Sequence, residues 1–186
     1  GSPSTALYWL GSEGESWTAT NNWATDVSGT PAGNFTADSD IVFSATGSSN
    51  ETYTNLGGDQ TIASLTINTT SPVGISGGTT INGASAEAIT VEAGNLTISS
   101  PVILAGSATT ITANQSTSIA SITAANGLVF DGTSSISIGA ITANGSLQKL
   151  GSGTTTLTGN NTYTGNTTIS EGTLALTQNG TLGTST

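Results

Sequence analysis

Residues 88–104 read Ala88-Ile89-Thr90-Val91-Glu92-Ala93-Gly94-Asn95-Leu96-Thr97-Ile98-Ser99-Ser100-Pro101-Val102-Ile103-Leu104. Short apolar runs are separated here by Gly94-Asn95 and by Ser99-Ser100-Pro101, and aliphatic side chains alternate with Thr in the first two. That alternation is the period-two signature of a half-buried strand. Gly and Asn supply the backbone conformations of a tight turn, and the Ser-Ser-Pro step predicts a second break. The same grammar runs outward in both directions. Thr61–Ile67 precedes the stretch, and Leu128-Val129-Phe130, Ile136-Ser137-Ile138, Thr155-Thr156-Leu157, Thr167-Thr168-Ile169 and Leu174-Ala175-Leu176 follow it. No apolar set keeps a 3.6-residue period over ten or more positions, so helix is not expected. The strands recur too closely for an immunoglobulin-type sandwich, whose turn signals come every ~8–12 residues. They suit an all-β, right-handed parallel β-helix (β-solenoid), in which coils stack at ~4.8 Å and inward Ile, Val and Leu form ladders. Coils of roughly 20–25 residues after the first ~55 predict about six of them.

Composition agrees. Of 186 residues, 37 are Thr, 26 Ser, 25 Gly and 15 Asn, and apolar types make up 34%. A compact globular core would be thin at that figure, whereas a solenoid needs only one or two inward residues per strand. There are eleven carboxylates, one lysine, and no arginine, histidine, cysteine or methionine, for a formal net charge of −10. A lone Lys149 cannot neutralise a phosphate backbone, so nucleic acid is not an expected partner. Without His and Cys, most nucleophilic and zinc chemistry is closed, and disulfides are impossible. No apolar run reaches the ~18–20 residues of a membrane helix, so direct membrane insertion is not expected either.

The chain divides by composition. Gly1-Ser2-Pro3 reads as a cloning remnant. Residues 4–55 hold all three tryptophans, two of three phenylalanines (Phe35, Phe43) and two of three tyrosines (Tyr8, Tyr53). An exposed solenoid end invites aggregation, so this aromatic segment is expected to cap the first coil. Residues 56–186 are expected to form the coils. Leu174 to Thr186 carries no capping aromatics and no charge block, which predicts further coils of the same chain beyond residue 186.

Residues 147–176 read LQKLGSGTTTLTGNNTYTGNTTISEGTLAL. This stretch resembles the autotransporter-associated β-strand repeat found in passenger regions of bacterial surface proteins. The resemblance rests on Leu147, Lys149, Gly151, Gly153, Thr154, Leu157, Thr158, Gly159, Asn161, Thr162, Tyr163, Thr164, Gly165, Thr167, Ile169, Gly172, Thr173 and Leu174. A looser similarity links the N-terminal part, with Trp17, Asn22-Trp23, Pro31 and Asp38–Phe43, to a segment that opens such passengers. The resemblance implies a secreted or cell-surface β-helix that serves as stalk or adhesin rather than catalyst, with the repeat assisting folding and export. On the residues alone, the repeat's glycines are expected at corners, Leu157, Ile169, Leu174 and Leu176 on core ladders, and Asn160 and Asn161 bonded to turn backbone. Tyr163 is expected over a corner of the core and Lys149 at a corner or on the surface.

Candidate sites are few. Trp9, Trp17 and Trp23 form either a buried lid or, if their faces are open, a platform for pyranose rings, and the lid is the favoured reading. Asp38 and Asp40 are two apart, which on a strand turns both to one side and makes them candidate Ca²⁺ ligands. Glu13 with Glu15, and Glu87 with Glu92, are acid pairs of the kind glycoside hydrolysis uses, but nothing else of that chemistry accompanies them. The expectation is a protein that is not an enzyme and needs no cofactor, Ca²⁺ at Asp38 and Asp40 being the one candidate. Its expected partners are a glycan, held by an adhesin module through the aromatic N-terminal region or a groove along the coils, or another surface protein.

Overall fold

The computed structural model describes residues 5–82, 86–177 and 179–184, so the remnant at Gly1-Ser2-Pro3 lies outside the described residues. Among the described residues there is no helix. The described residues form nineteen strands in chain order. The first seven are β1 (Ala6–Trp9), β2 (Trp23–Ala24), β3 (Pro31–Gly33), β4 (Asp40–Phe43), β5 (Thr54–Asn55), β6 (Gln60–Ile62) and β7 (Ser64–Asn68). Next come β8 (Val73–Ser76), β9 (Thr80–Asn82), β10 (Glu87–Ala93), β11 (Leu96–Leu104), β12 (Ala108–Ala113) and β13 (Thr117–Ala124). The last six are β14 (Gly127–Asp131), β15 (Ile136–Ala143), β16 (Leu147–Lys149), β17 (Thr154–Leu157), β18 (Thr167–Ile169) and β19 (Thr173–Leu176).

The chain is a β-solenoid. One sheet has the order β18-β16-β14-β12-β10-β7-β4-β1-β2-β3 and the other β19-β17-β15-β13-β11-β8-β5. From β1 to β18 and from β5 to β19 every neighbouring pair is parallel, which is what a coil stacked on its predecessor must give. The first half of β11 pairs with β8, and its second half pairs with β9. β11, β13 and β15 therefore each turn a corner and give the cross-section a third face. Pro101 lies inside β11, where the ladder register shifts. The expected break at Ser99-Ser100-Pro101 is thus a bend within one strand, where a residue lacking an N–H costs no ladder bond. Conversely, Thr61–Ile67 is two strands. Ala63 donates to the Ser39 carbonyl at 2.9 Å, and β6 and β7 leave it for different sheets.

Side chains repeat rung on rung. Ile75, Ile98, Ile119, Ile138 and Leu157 stack in register and all are buried, the later steps each being 19 residues. On the opposite sheet Leu7, Ile41, Leu65, Ile89, Ile111 and Phe130 do the same. Each fully buried aliphatic contributes about 1.5–3 kcal/mol. Between the ladders the coils press close. A Cβ on Gly153 would strike the Ser134 carbonyl, and one on Gly159 would strike Gly139, so these corners need glycine for space rather than for φ. Gly172, at φ +71°, is the one repeat glycine that also needs the left-handed region.

Threonine replaces an aliphatic on several rungs. Thr155 lies between Ile136 and Leu174 in register, is fully buried, and its hydroxyl has no partner among the described residues. An unpaired buried hydroxyl costs about 1–3 kcal/mol. Thr155→Val is therefore expected to stabilise the chain by about 1 kcal/mol in urea unfolding, and Ile138→Ala to destabilise it by about 2–5 kcal/mol. A Thr155→Val variant less stable than wild type would show that the hydroxyl is satisfied.

Candidate functional site

The N-terminal end is closed by indoles. β1 pairs antiparallel with β2, which sets Trp9 opposite Trp23, and β2 pairs antiparallel with β3. Trp9 and Trp23 meet edge to face at 5.1 Å, as do Trp17 and Trp23. Trp9 stacks on Phe43 at 5.7 Å, and Phe35 leans on Trp17 and Trp23 at 5.8 and 5.6 Å. All three indoles have 0% exposure, and each N–H is bonded inside the protein: Trp9 to the Ser49 carbonyl, Trp17 to the Thr54 hydroxyl, Trp23 to the Trp17 carbonyl. The sugar-stacking platform on Trp9, Trp17 and Trp23 is accordingly corrected, because their faces are covered by one another and no ring face reaches solvent. The same segment also supplies solenoid rungs, since β1 and β4 continue the parallel stack onto β7.

Asp38 and Asp40 do not share a strand face. Asp38 stands in a left-handed turn at φ 59°, ahead of β4, so the strand period that would align them does not apply. The Asp40 carboxylate accepts the Ser64 hydroxyl at 2.6 Å. Among the described residues no group of three or more His, Cys, Asp or Glu is placed to hold a metal ion. Of the glutamates, Glu92 accepts the Asn114 amide at 3.0 Å, and Glu87 accepts the Thr112 hydroxyl at 3.5 Å.

Within residues 147–176 the repeat's residues build a coil. Leu147 continues the Leu128 rung, and Leu157 the Ile138 rung. Asn161 is buried. Its amide donates to the Gly159 and Thr181 carbonyls, and its oxygen takes the Ile141 N–H at 2.8 Å. Tyr163 is buried with its hydroxyl bonded to Thr167 at 2.7 Å. Leu174 is half-buried, while Ile169 and Leu176 occupy ladder positions on the last rung and are 51% and 46% exposed.

Lys149 is neither a corner nor a surface residue. It stacks between Phe130 and Ile169 on the ladder that begins at Leu7, and only 1% of it is exposed. Its Nζ donates to the Gly151 carbonyl. Burial pushes its pKa below the ordinary lysine value, against the pull of the Asp131 and Glu171 carboxylates. The misreading has a physical source: in one dimension an ammonium reads as a solvated group, but a lysine stem is apolar and fills a ladder position.

A second surface feature has no counterpart in the motif reading. Tyr53 is 72% exposed and overhangs a groove of about 290 Å³ on the outer face of the β5-β8-β11 sheet. Its signal in the sequence is slight, a single aromatic in Thr52-Tyr53-Thr54 without periodicity.

The class of protein is thus a parallel β-solenoid with an indole-filled N-terminal lid. Residues 147–176 match the family model described as passenger-associated-transport-repeat, the repeat of autotransporter passengers. The searches of curated proteins and of solved structures each returned no match.

For Lys149 the sign of the pH effect follows from linkage. Between its depressed folded pKa and the ordinary lysine value the unfolded chain binds the extra proton, so stability rises with pH in that window. Lys149→Met is expected to melt at or above the wild-type temperature at pH 7, with the gap narrowing towards pH 10 as the wild-type ammonium deprotonates. A Met variant that melts lower, with a gap independent of pH, would show that the charge itself stabilises the coil.

Proposed function

We propose that this chain is a non-catalytic segment of a secreted or surface-displayed bacterial passenger, serving as stalk or spacer, with the coil at 147–176 aiding folding and export. The observation that carries the reading is where the repeat falls. Its apolar and amide residues, Leu147, Leu157, Asn161 and Tyr163, are the buried rungs and corner bonds of a coil that continues the solenoid below it. A repeat whose recurring residues go to making another coil extends a rod rather than building a cleft. The eight parallel strands from β1 to β18, at ~4.8 Å each, give a stack of roughly 34 Å. The stalk reading includes no catalysis: among the described residues no group of three or more acids is placed to hold a metal ion, and His, Cys and Arg are missing from the sequence. The net charge of −10 favours solubility and disfavours adhesion to anionic surfaces.

The test is display of the full-length gene product. Antibody against the indole-lidded end is expected to label intact cells, and Leu157→Asp, which places a charge on a buried rung, is expected to lower the displayed amount several-fold at unchanged transcript level. A chain retained in the cytoplasm, or one displayed equally with the broken rung, would overturn the reading. Purified protein is expected to release no reducing ends from neutral or acidic polysaccharides, and turnover there would replace the stalk with an enzyme.

A further inference from the structure

We propose that the groove beside Tyr53 is a binding subsite for one neutral pyranose unit of a glycan. Tyr53 is the exception among the rings of this chain. The three tryptophans, Phe43, Phe130 and Tyr163 are all buried, Tyr8 and Phe35 are half-buried, and Tyr53 alone is 72% exposed.

The ring stands on a rigid base. Glu51, two residues before it, is 95% covered; its carboxylate accepts the Ser48 and Thr69 hydroxyls, and its carbonyl accepts the Gly74 N–H at 3.0 Å. Thr54, directly after it, is fully buried; its hydroxyl donates to the Gly74 carbonyl at 2.7 Å and accepts the Trp17 indole N–H at 2.9 Å. Both flanks of Tyr53 are thereby tied to the neighbouring coil and to the lid, which fixes the backbone from which the ring projects.

Gly74 stands between buried Val73 and Ile75, and a Cβ there would strike the Thr52 carbonyl, so glycine at this point lets the coil carrying Tyr53 lie close against β8. In register with Gly74 on the next coil is Thr97. Pro72, Val73, Ile75, Ser76, Thr97 and Ser99 are among the residues that line the groove with Tyr53 and Gly74, and no charged side chain lines it; the Ser76 and Ser99 hydroxyls donate to the Thr54 and Ile75 carbonyls and leave their oxygens as acceptors. Its volume lies at the small end of ligand cavities, which run ~300–1,000 Å³.

An aromatic face flanked by hydroxyls matches a pyranose, which has one apolar C–H face and a rim of hydroxyls. The uncharged lining and the chain's net charge of −10 select a neutral sugar over an acidic one. Strand addition of a peptide to β8 is closed, because β8 is paired with β5 and with β11, and Asn55 of the edge strand β5 is itself bridged to Ser16.

The experiment is saturation-transfer NMR of the purified chain with a panel of neutral oligosaccharides that includes maltose, cellobiose and lactose, with glucuronic acid as the acidic control. Binding to at least one neutral probe is expected, with saturation on the ring C–H face, and none to glucuronic acid. Tyr53→Ala is expected to weaken that binding by about five- to tenfold, and Tyr53→Phe to keep it within about twofold. Because Tyr53 is exposed, both variants are expected to retain the wild-type circular dichroism and buried-indole fluorescence. No binding by any neutral probe would overturn the proposal. So would binding that survives Tyr53→Ala, or Tyr53 resonances that follow protein concentration instead of sugar. Any of these would leave display and export unchanged, so this proposal and the stalk reading fail separately.

Discussion

Stacking of one coil on the next is the constraint on which the rest of the molecule depends. A coil of nineteen to twenty-four residues cannot satisfy its own backbone, so its N–H and C=O groups must be met by the coils on either side. The parallel register does this along both sheets and, as a consequence, places like positions over like. The ladder from Ile75 to Leu157 and the ladder from Leu7 to Phe130 are results of that register. So are the corner glycines, because a coil following at strand spacing leaves no room for a Cβ over the carbonyl beneath it. With no cysteine available, cohesion rests on these contacts alone.

A stack has two ends, and the two differ. At the N-terminal end the sheet turns antiparallel through β2 and β3, and three indoles fill the space another coil would occupy. Their edge-to-face packing covers a large apolar area with few residues, and their N–H groups are met by Ser49, Thr54 and the Trp17 carbonyl, so the lid closes without an unpaired donor among them. The last rung carries Ile169, Leu174 and Leu176 at ladder positions, two of them largely open to water. Between the ends the stack tolerates foreign side chains. Thr155 and Lys149 sit where apolar side chains sit above and below them, because each rung is a local environment and a mismatch disturbs only its neighbours.

Much of this was legible in one dimension. Alternating aliphatic and hydroxyl residues between Gly and Asn marked the strands, and the motif at 147–176 marked a coil. The failures share one cause, which is that a residue's surroundings are set by the coils above and below it. Ser99-Ser100-Pro101 looked like an end of structure, yet the neighbouring coils carry the strand through it as a bend. Asp38 and Asp40 looked like neighbours on a strand face, yet the chain enters β4 only at Asp40. Tyr53 looked like one more aromatic of the lid, yet it stands outside, because Glu51 and Thr54 are the residues drawn in.

The sequence by itself determined that the chain would be built of short parallel strands, would lack helix, and would put its indoles to use at one end. Those are matters of period and composition, which act locally and survive without coordinates. Only the tertiary structure decided which side chains the stack swallows and which it presents: Lys149 inside, Tyr53 outside, Trp9, Trp17 and Trp23 sealed against one another. The physical reason is that inward and outward differ by a single residue step on a strand. Which of the two a side chain takes is fixed by its pairing with coils nineteen to twenty-four residues away.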